Sequence, residues 1–421
     1  MNRLLIFVFL VAAPAVAIDW NTPDAVVKTA VAVSPSLAAL SAEIQAAKER
    51  VIVAGSLPNP MAMGGVQNQQ VDLSIDPMMT MYWVGASQTL VLKSRREELR
   101  RAAELDVERL QREYESRRAE VERDVRSAYI EAAAAQSQID ATEDIAALLK
   151  SVVDASRARY ETGAAPQSDL IRAMLEESKV RHELVAIERQ RNVAIARLLP
   201  LLNLSATTTV PPFSLGHGMQ RDEERAFDTT LPRTTPAIAA LQTDVARAEE
   251  EVRLAKLATR PDVSVEASYG FRPEQKDMFS VTGRVELPIR KSTQIEPRIR
   301  EAMARRDASL RQIELLRQQL LQDLGAAVVL RNEAVAQIDL HMNTLVPQAK
   351  AGFESALAAY ENGKTSFDAV LESLRTFVGL NVDYYDFLRQ RMLAEVNIRA
   401  IQQGARGAMT SPAAPSMEMS Q

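Results

Sequence analysis

From Lys93 to Thr162 the chain runs 70 residues without a glycine or a proline, and its apolar positions recur at helical spacing. At 1.5 Å per residue this predicts a single helix of about 105 Å, several times the length of an ordinary globular helix. Val107, Tyr114, Val121, Ala128 and Ala135 repeat every seven residues, while Leu110, Arg117 and Asp124 occupy the companion seam. A coiled-coil dimer needs both seams apolar. One diluted seam, with alanine at Ala132 to Ala135 and charge elsewhere, instead suits a helix in the wall of a hollow cylinder, touching neighbours along two narrow sides. A return helix is expected from Pro166 to Leu199, carrying Leu170, Met174, Leu184, Ile187 and Ile195. A second outgoing rod is expected from about Arg298 to Asn362, softened by Gly325, Pro347 and Gly352, with its return from about Ser366 to Gln403.

Period two replaces period 3.6 in two places. Val263, Val265, Ala267, Tyr269 and Phe271 alternate with Ser264, Glu266, Ser268 and Gly270. After the charged turn Arg272 to Asp277, the residues Phe279, Val281, Gly283, Val285 and Leu287 alternate with Ser280, Thr282, Arg284 and Glu286. Two strands of this length, with one apolar and one polar face, match a transmembrane β-hairpin whose inner side is wet. Tyr269, Phe271 and Phe279 gather near the turn, where an interfacial aromatic girdle belongs. Earlier in the chain Val71, Leu73 and Ile75 alternate with Gln70, Asp72 and Ser74, and Met79 to Leu92 supplies a less regular return strand with Tyr82 and Trp83. A half-buried sheet in a soluble domain gives the same alternation. Four strands cannot close a barrel, and an open edge in lipid leaves each unpaired backbone group unsatisfied. Three copies, giving twelve strands, form the natural conducting ring, with two or four copies also allowed by this reasoning.

The chain is a duplication. Pro35, Leu40, Ile44, Ala47, Val51, Ala54 and Pro60 face Pro236, Leu241, Val245, Ala248, Val252, Ala255 and Pro261 at an offset of 201. Asp124, Ala128 and Ile139 face Asp323, Ala327 and Ile338 at 199, and Tyr160, Glu161 and Gly163 face Tyr360, Glu361 and Gly363 at 200. Each half opens with a moderate helix, about Pro23 to Gly55 and about Pro236 to Thr259. The organisation expected is a signal peptide over 1–17, a first repeat over 18–202, a connector over 203–235, a second repeat over 236–403 and a disordered tail over 404–421. Within the repeats, hairpins fall at about 62–92 and 262–289, and helical hairpins at 93–200 and 297–403. The address segment has a short positive start at Arg3, an apolar run from Leu4 to Val11 and a small-residue cleavage signal at Ala15-Val16-Ala17, so the mature chain begins at Ile18.

Composition then closes several doors. Cysteine is absent, which excludes a disulfide scaffold, thiolate metal sites, a cysteine nucleophile and a thioether-linked lipid anchor. The charge of −5 arises from 50 basic and 55 acidic residues interleaved along the chain, leaving no basic footprint for nucleic acid. His182, His217 and His341 lack metal-ligand spacing and read as surface or packing residues, so no metal site and no cofactor are expected. Met61, Met63, Met78, Met79 and Met81, with Met409, Met417 and Met419 in the tail, offer soft thioethers to Cu(I) or Ag(I), and serve equally as adaptable packing. No nucleophile, base and orienter come together, so no enzyme is expected.

The chain resembles the TolC-like outer-membrane efflux protein family over almost its whole mature length. The residues that carry the resemblance are Leu57-Pro-Asn-Pro60, Ser87-Gln-Thr-Leu-Val-Leu92, Tyr160-Glu-Thr-Gly163 with Ser168-Asp-Leu170, Arg260-Pro-Asp-Val263, Val285-Glu-Leu-Pro288, and Tyr360-Glu-Asn-Gly363 with Ser366, Val370, Leu371 and Glu372. The first two segments are similar to the metal-cation branch of that family. The resemblance implies a mainly α fold with a small transmembrane β part: a homotrimer with a 12-stranded β-barrel in outer-membrane lipid, continuing into a periplasmic α-helical barrel. It also implies an exit duct for metal cations or small toxic compounds, docked on an inner-membrane pump through a periplasmic adaptor.

By the same resemblance, the two Tyr-Glu-x-Gly turns form the periplasmic mouth, with Tyr160, Gly163 and Gly363 as adaptor-contacting tips. Family carboxylates that ring the constriction fall on Ala369 and Glu372, so one is missing here, although Asp368 sits one residue earlier. Three Glu372 side chains round a threefold axis would repel one another and attract cations. Asp169 and Tyr360 match a family contact between the turns, whose basic partner falls on Thr365 beside Lys364; a lock of Asp169 with Tyr360 and Lys364 is expected. Three other readings stand beside the duct: an outer-membrane channel for type I protein secretion, a periplasmic adaptor, and a structural coiled-coil protein. An adaptor should carry one hairpin interrupting small β-domains, and a coiled-coil bridge leaves the alternating strands unexplained.

Overall fold

The computed structural model describes residues 18–68, 79–215, 228–272 and 275–405. In chain order the elements are α1 (Pro23–Val33), α2 (Pro35–Gly55), β1 (Met61–Gln67), β2 (Met81–Leu90), α3 (Lys93–Glu161), α4 (Gln167–Leu201), α5 (Pro236–Leu257), β3 (Val263–Phe271), β4 (Met278–Val285), α6 (Glu296–Leu340), α7 (Val346–Glu361) and α8 (Phe367–Gln402). They divide into two compact units. One comprises Met1–Ser34, Glu120–Thr229 and Leu324–Ala400, the other Pro35–Ala119, Thr230–Asp323 and Ile401–Gln421.

The first unit is helical. Its main core joins Val125, Tyr129 and Ala132 to Ala134 of α3 with Ala194 and Leu198 of α4 and Met392 and Val396 of α8. Ala132 to Ala135 are all buried, so α3 is enclosed nearly all round at this level. Methyl side chains make such close approach feasible. Tyr129 is sealed between neighbours: its ring stacks on Phe213 at 4.5 Å and its hydroxyl donates to the Trp20 carbonyl at 2.9 Å. Burial, reinforced by the charge of Asp19, pushes the Tyr129 hydroxyl up to about 12. Ile18 and Trp20 pack on this core. The expected signal peptide lies outside the described residues, as do the alternation at Val71, Leu73 and Ile75, His217, and nearly all of the expected tail. A second core gathers Leu149, Val152, Ala173, Phe353, Tyr360 and Leu374.

The second unit holds one antiparallel sheet in the order β1-β2-β3-β4. Hairpins β1-β2 and β3-β4 come from the two halves of the chain, and β2 pairs with β3 from Tyr82 opposite Phe271 to Leu90 opposite Val263. At the foot of the sheet Arg95 of α3 pairs with Asp262, whose carbonyl accepts the Glu286 N–H at 3.1 Å. That pairing gives the Arg260-Pro-Asp-Val263 segment its structural role.

Two expectations need correction. The first helix is two, because Pro35 has no N–H and Ser34 before it takes extended geometry, with ψ 117°. The outgoing strand of the first hairpin is Met61–Gln67, at the start of the expected hairpin; the alternation at Val71, Leu73 and Ile75 lies outside the described residues. Gly325 does not interrupt the second rod; the break is a π-helical turn at His341–Leu345, where the Val346 N–H reaches back to the His341 carbonyl. Pro347 explains its place, since proline cannot donate to the carbonyl of Asn343 and its ring crowds that carbonyl.

Leu149 is fully buried in the second helical core. Its replacement by alanine should destabilise the helical unit by about 2–5 kcal/mol, read as an earlier loss of far-ultraviolet circular dichroism in denaturant.

Candidate functional site

Two features of the fold can do work: the paired helical turns at Thr162 and Asn362, and the two faces of the sheet. The turns share one backbone design. Gly163 N–H donates to Tyr160 O at 2.9 Å and Ala164 N–H to Arg159 O at 2.8 Å; Gly363 N–H donates to Tyr360 O at 2.9 Å and Lys364 N–H to Ala359 O at 2.8 Å. This double hydrogen bond ends a helix on a left-handed residue, and Gly163 and Gly363 supply it with φ of 72° and 70°.

The side chains depart from that symmetry. Tyr160 is 42% exposed, whereas Tyr360 is 2% exposed and packs against Phe367. Burial raises the Tyr360 hydroxyl above its ordinary range, and that hydroxyl donates to Asp169 Oδ2 at a long 3.4 Å. The Arg159 guanidinium lies 4.6 Å from the Tyr360 ring centroid, a favourable cation–π placement. The same group donates to the carbonyls of Tyr360, Glu361 and Ala164, so one side chain bonds to both turns.

Two ion pairs then link α4 to α8. Arg172 meets Asp368 at 2.6 Å, with both side chains largely exposed. One turn farther along, Arg375 pairs with Glu176, which also accepts from Lys179 Nζ at 2.9 Å. The Glu176 side chain is only 10% exposed. Burial opposes its ionisation, but the hydrogen bonds and charges of Arg375 and Lys179 outweigh that and hold its carboxyl below the usual value.

Of the residues singled out from sequence, the structure brings Asp169 and Tyr360 together and seats Asp368 on Arg172. Lys364 is exposed and its side chain makes no hydrogen bond or ion pair among the described residues; the cation at the Tyr360 site is Arg159. Glu372 is exposed on α8, three residues from Arg375, whose guanidinium its charge stabilises. Arg159, Glu176 and Arg375 escaped sequence reasoning. His341 is buried, with Nδ1 2.7 Å from the Gln337 carbonyl and its ring against Phe387.

Register sorts the sheet residues cleanly, because directly opposed residues share a face. One face carries Val84, Leu90, Val265, Tyr269, Phe279 and Val281. It is open to the surroundings, with Phe279 71% and Val281 64% exposed. The other carries Ser87, Thr89, Ser264, Glu266, Thr282 and Arg284. Among the described residues no single helix is long and apolar enough to cross a membrane. The sheet has the two-faced character of a lipid-facing barrel wall.

Tandem helical hairpins in one chain with such a sheet are the elements of an outer-membrane channel protein. The chain belongs to the outer membrane efflux protein family, whose profile matches residues 26–206 and 233–402. It is an outer-membrane protein with its helical part in the periplasm. No characterised protein sequence matches it. Among solved structures it is similar to CusC, at 16% identity and a TM-score of 0.77 over 91% of this chain and 92% of that one. A membrane protein from Pseudomonas aeruginosa gives 20% identity and a TM-score of 0.77 over 94% and 96%. The outer membrane protein VceC from Vibrio cholerae gives 16% and 0.75 over 91% and 96%.

Because the Glu176 carboxyl sits below its ordinary value, the stabilisation it adds is complete above that ordinary value and disappears as pH falls through the depressed one. Arg375→Ala should therefore raise the Glu176 pKa, measured by carboxyl NMR, and speed amide exchange in the 360–364 turn. An unshifted Glu176 titration would show that the pair does not hold these helices.

Proposed function

We propose that three copies of the chain close a twelve-stranded barrel and form the exit duct of a tripartite efflux system. The observation that carries this reading is the sheet itself: among the described residues it has four strands, with β1 and β4 paired on one side only, and an apolar face left in the open. In lipid each edge must find a partner strand, because no water is present to satisfy its amides. Identical chains supply complementary edges, and twelve strands leave room for a wet passage along the polar face.

In this reading the helical rods extend the passage across the periplasm and the paired turns form its mouth. Tyr160, Gly163 and Gly363 meet a periplasmic adaptor, which couples the duct to an inner-membrane pump. Glu372 rings the constriction, with Asp368 beside it. Asp169 and Tyr360 hold the turns together, and Arg159 supplies the positive charge that sequence reasoning placed on Lys364. Metal cations or small toxic compounds are the cargo, and the duct moves them passively.

Outer-membrane fractions should contain a heat-modifiable trimer that conducts in planar bilayers; a protein that stays monomeric and non-conducting would remove the duct. In the trimer, Glu372→Ala should raise single-channel conductance or weaken cation preference. Conductance and selectivity both unchanged would take Glu372 out of the mouth. Loss of the gene should sensitise cells to metals or small toxic compounds.

A further inference from the structure

The four methionines within the described strands all fall on one face of the sheet. Met61 and Met63 of β1 stand opposite Ser87 and Gly85, and Met81 of β2 stands opposite Gln67. The same face continues through Ser268 and Gly270 of β3 and reaches Met278, the partner of Gly270 on β4. This is the polar face. The apolar face, where packing would favour a flexible hydrocarbon-like side chain, has no methionine among the described strand residues. Met61 and Met278 are 63% and 45% exposed, so packing within the chain does not account for them.

The sulfurs fall at two levels. Met61 and Met63 are one residue apart on an extended strand, so their side chains rise from the same side about 6.5 Å apart. Two unbranched side chains at that spacing can close on one ion. Nearer the hairpin turns, Met81 lies over Gly270: a Cβ built on that glycine would sit 2.6 Å from the Met81 sulfur. Met278 flanks the same glycine from the opposite strand. The Met81 thioether thus fills the space that the missing side chain leaves, beside the strand that carries Met278. The Arg272 guanidinium donates to the Met278 sulfur at 2.6 Å, so an ion bound there has to displace it.

We propose that the polar face binds soft monovalent cations, Ag(I) or Cu(I), through Met61 with Met63 and through Met81 with Met278. Thioether sulfur is uncharged and polarisable, so it selects such ions over hard sodium or magnesium. Neutral sulfur pairs also release what they bind more readily than thiolates do. A passage needs sites weak enough to leave as well as favourable enough to enter, and two successive levels meet that requirement. The proposal deepens the duct reading by naming a cargo class, and it rests on that reading for the polar face being the inner one.

The test is titration of the purified full-length protein in detergent with silver nitrate, in chloride-free buffer, followed by calorimetry and X-ray absorption. The wild type should show silver–sulfur coordination. A variant carrying Met61→Leu, Met63→Leu, Met81→Leu and Met278→Leu keeps side-chain volume and should lose it, with circular dichroism and potassium nitrate conductance unchanged. Equal silver uptake by both proteins, or none by the wild type, would overturn the site. Should the fourfold variant fail to fold, the two pairwise variants replace it: each should lose part of the bound silver, and full retention in both overturns the proposal. A protein that conducts without binding silver refutes the site alone, whereas one that binds silver without conducting refutes the duct and leaves the site standing.

Discussion

The structure turns on the backbone amides at the two edges of its sheet, β1 and β4. Among the described residues a sheet of four strands satisfies its interior ladder and leaves the outer sides of β1 and β4 unpaired. In water such edges are tolerable; in hydrocarbon each unsatisfied group costs several kcal/mol. In the proposed barrel the apolar side chains on one face and polar ones on the other have a direct meaning, because they specify which side meets lipid and which meets water. The duplication serves the same end. Each half contributes one hairpin, and β2 with β3 joins the halves into a single sheet.

Duplication also creates two turns of equal backbone and unequal chemistry. The hydrogen bonds round Gly163 and Gly363 are the same, yet Tyr360 is enclosed and Tyr160 is not. Arg159 accounts for part of the difference, since its guanidinium covers the Tyr360 ring and bonds to carbonyls of both turns. The corresponding position in the second half is Ala359, which cannot return the contact. Two copies of one motif have become a covered member and an open one, leaving Tyr160 exposed and Tyr360 as part of the core.

Much of this was legible in the residues, and the failures have physical causes. β3 and β4 announced themselves by strict alternation, and the Tyr-Glu-x-Gly turns by their glycines. β1 did not, because Met61-Ala-Met-Gly-Gly-Val-Gln67 has almost no polar contrast between its faces; pairing with β2, not local preference, makes it a strand. The break at Pro35 was overlooked because helical spacing of apolar residues continues across it. The Arg375–Glu176 and Arg172–Asp368 pairs join residues 199 and 196 positions apart. The repeat offset shows that the two hairpins are related, but nothing local says which of the many charges on them will meet. The methionines were ambiguous in one dimension, and only the strand register placed them on a common face.

The π-helical turn at His341–Leu345 keeps time for the second rod. Upstream, Ala327, Ala334 and His341 are buried at intervals of seven; downstream, Phe353 and Tyr360 are buried seven apart again. The step from His341 to Phe353 is twelve, which in an unbroken helix would leave Phe353 about a third of a revolution out of phase. A widened turn absorbs one residue and restores the effective step to eleven, three helical revolutions. The bulge thus acts as a leap day, inserted so that the calendar of buried positions agrees on both sides of it.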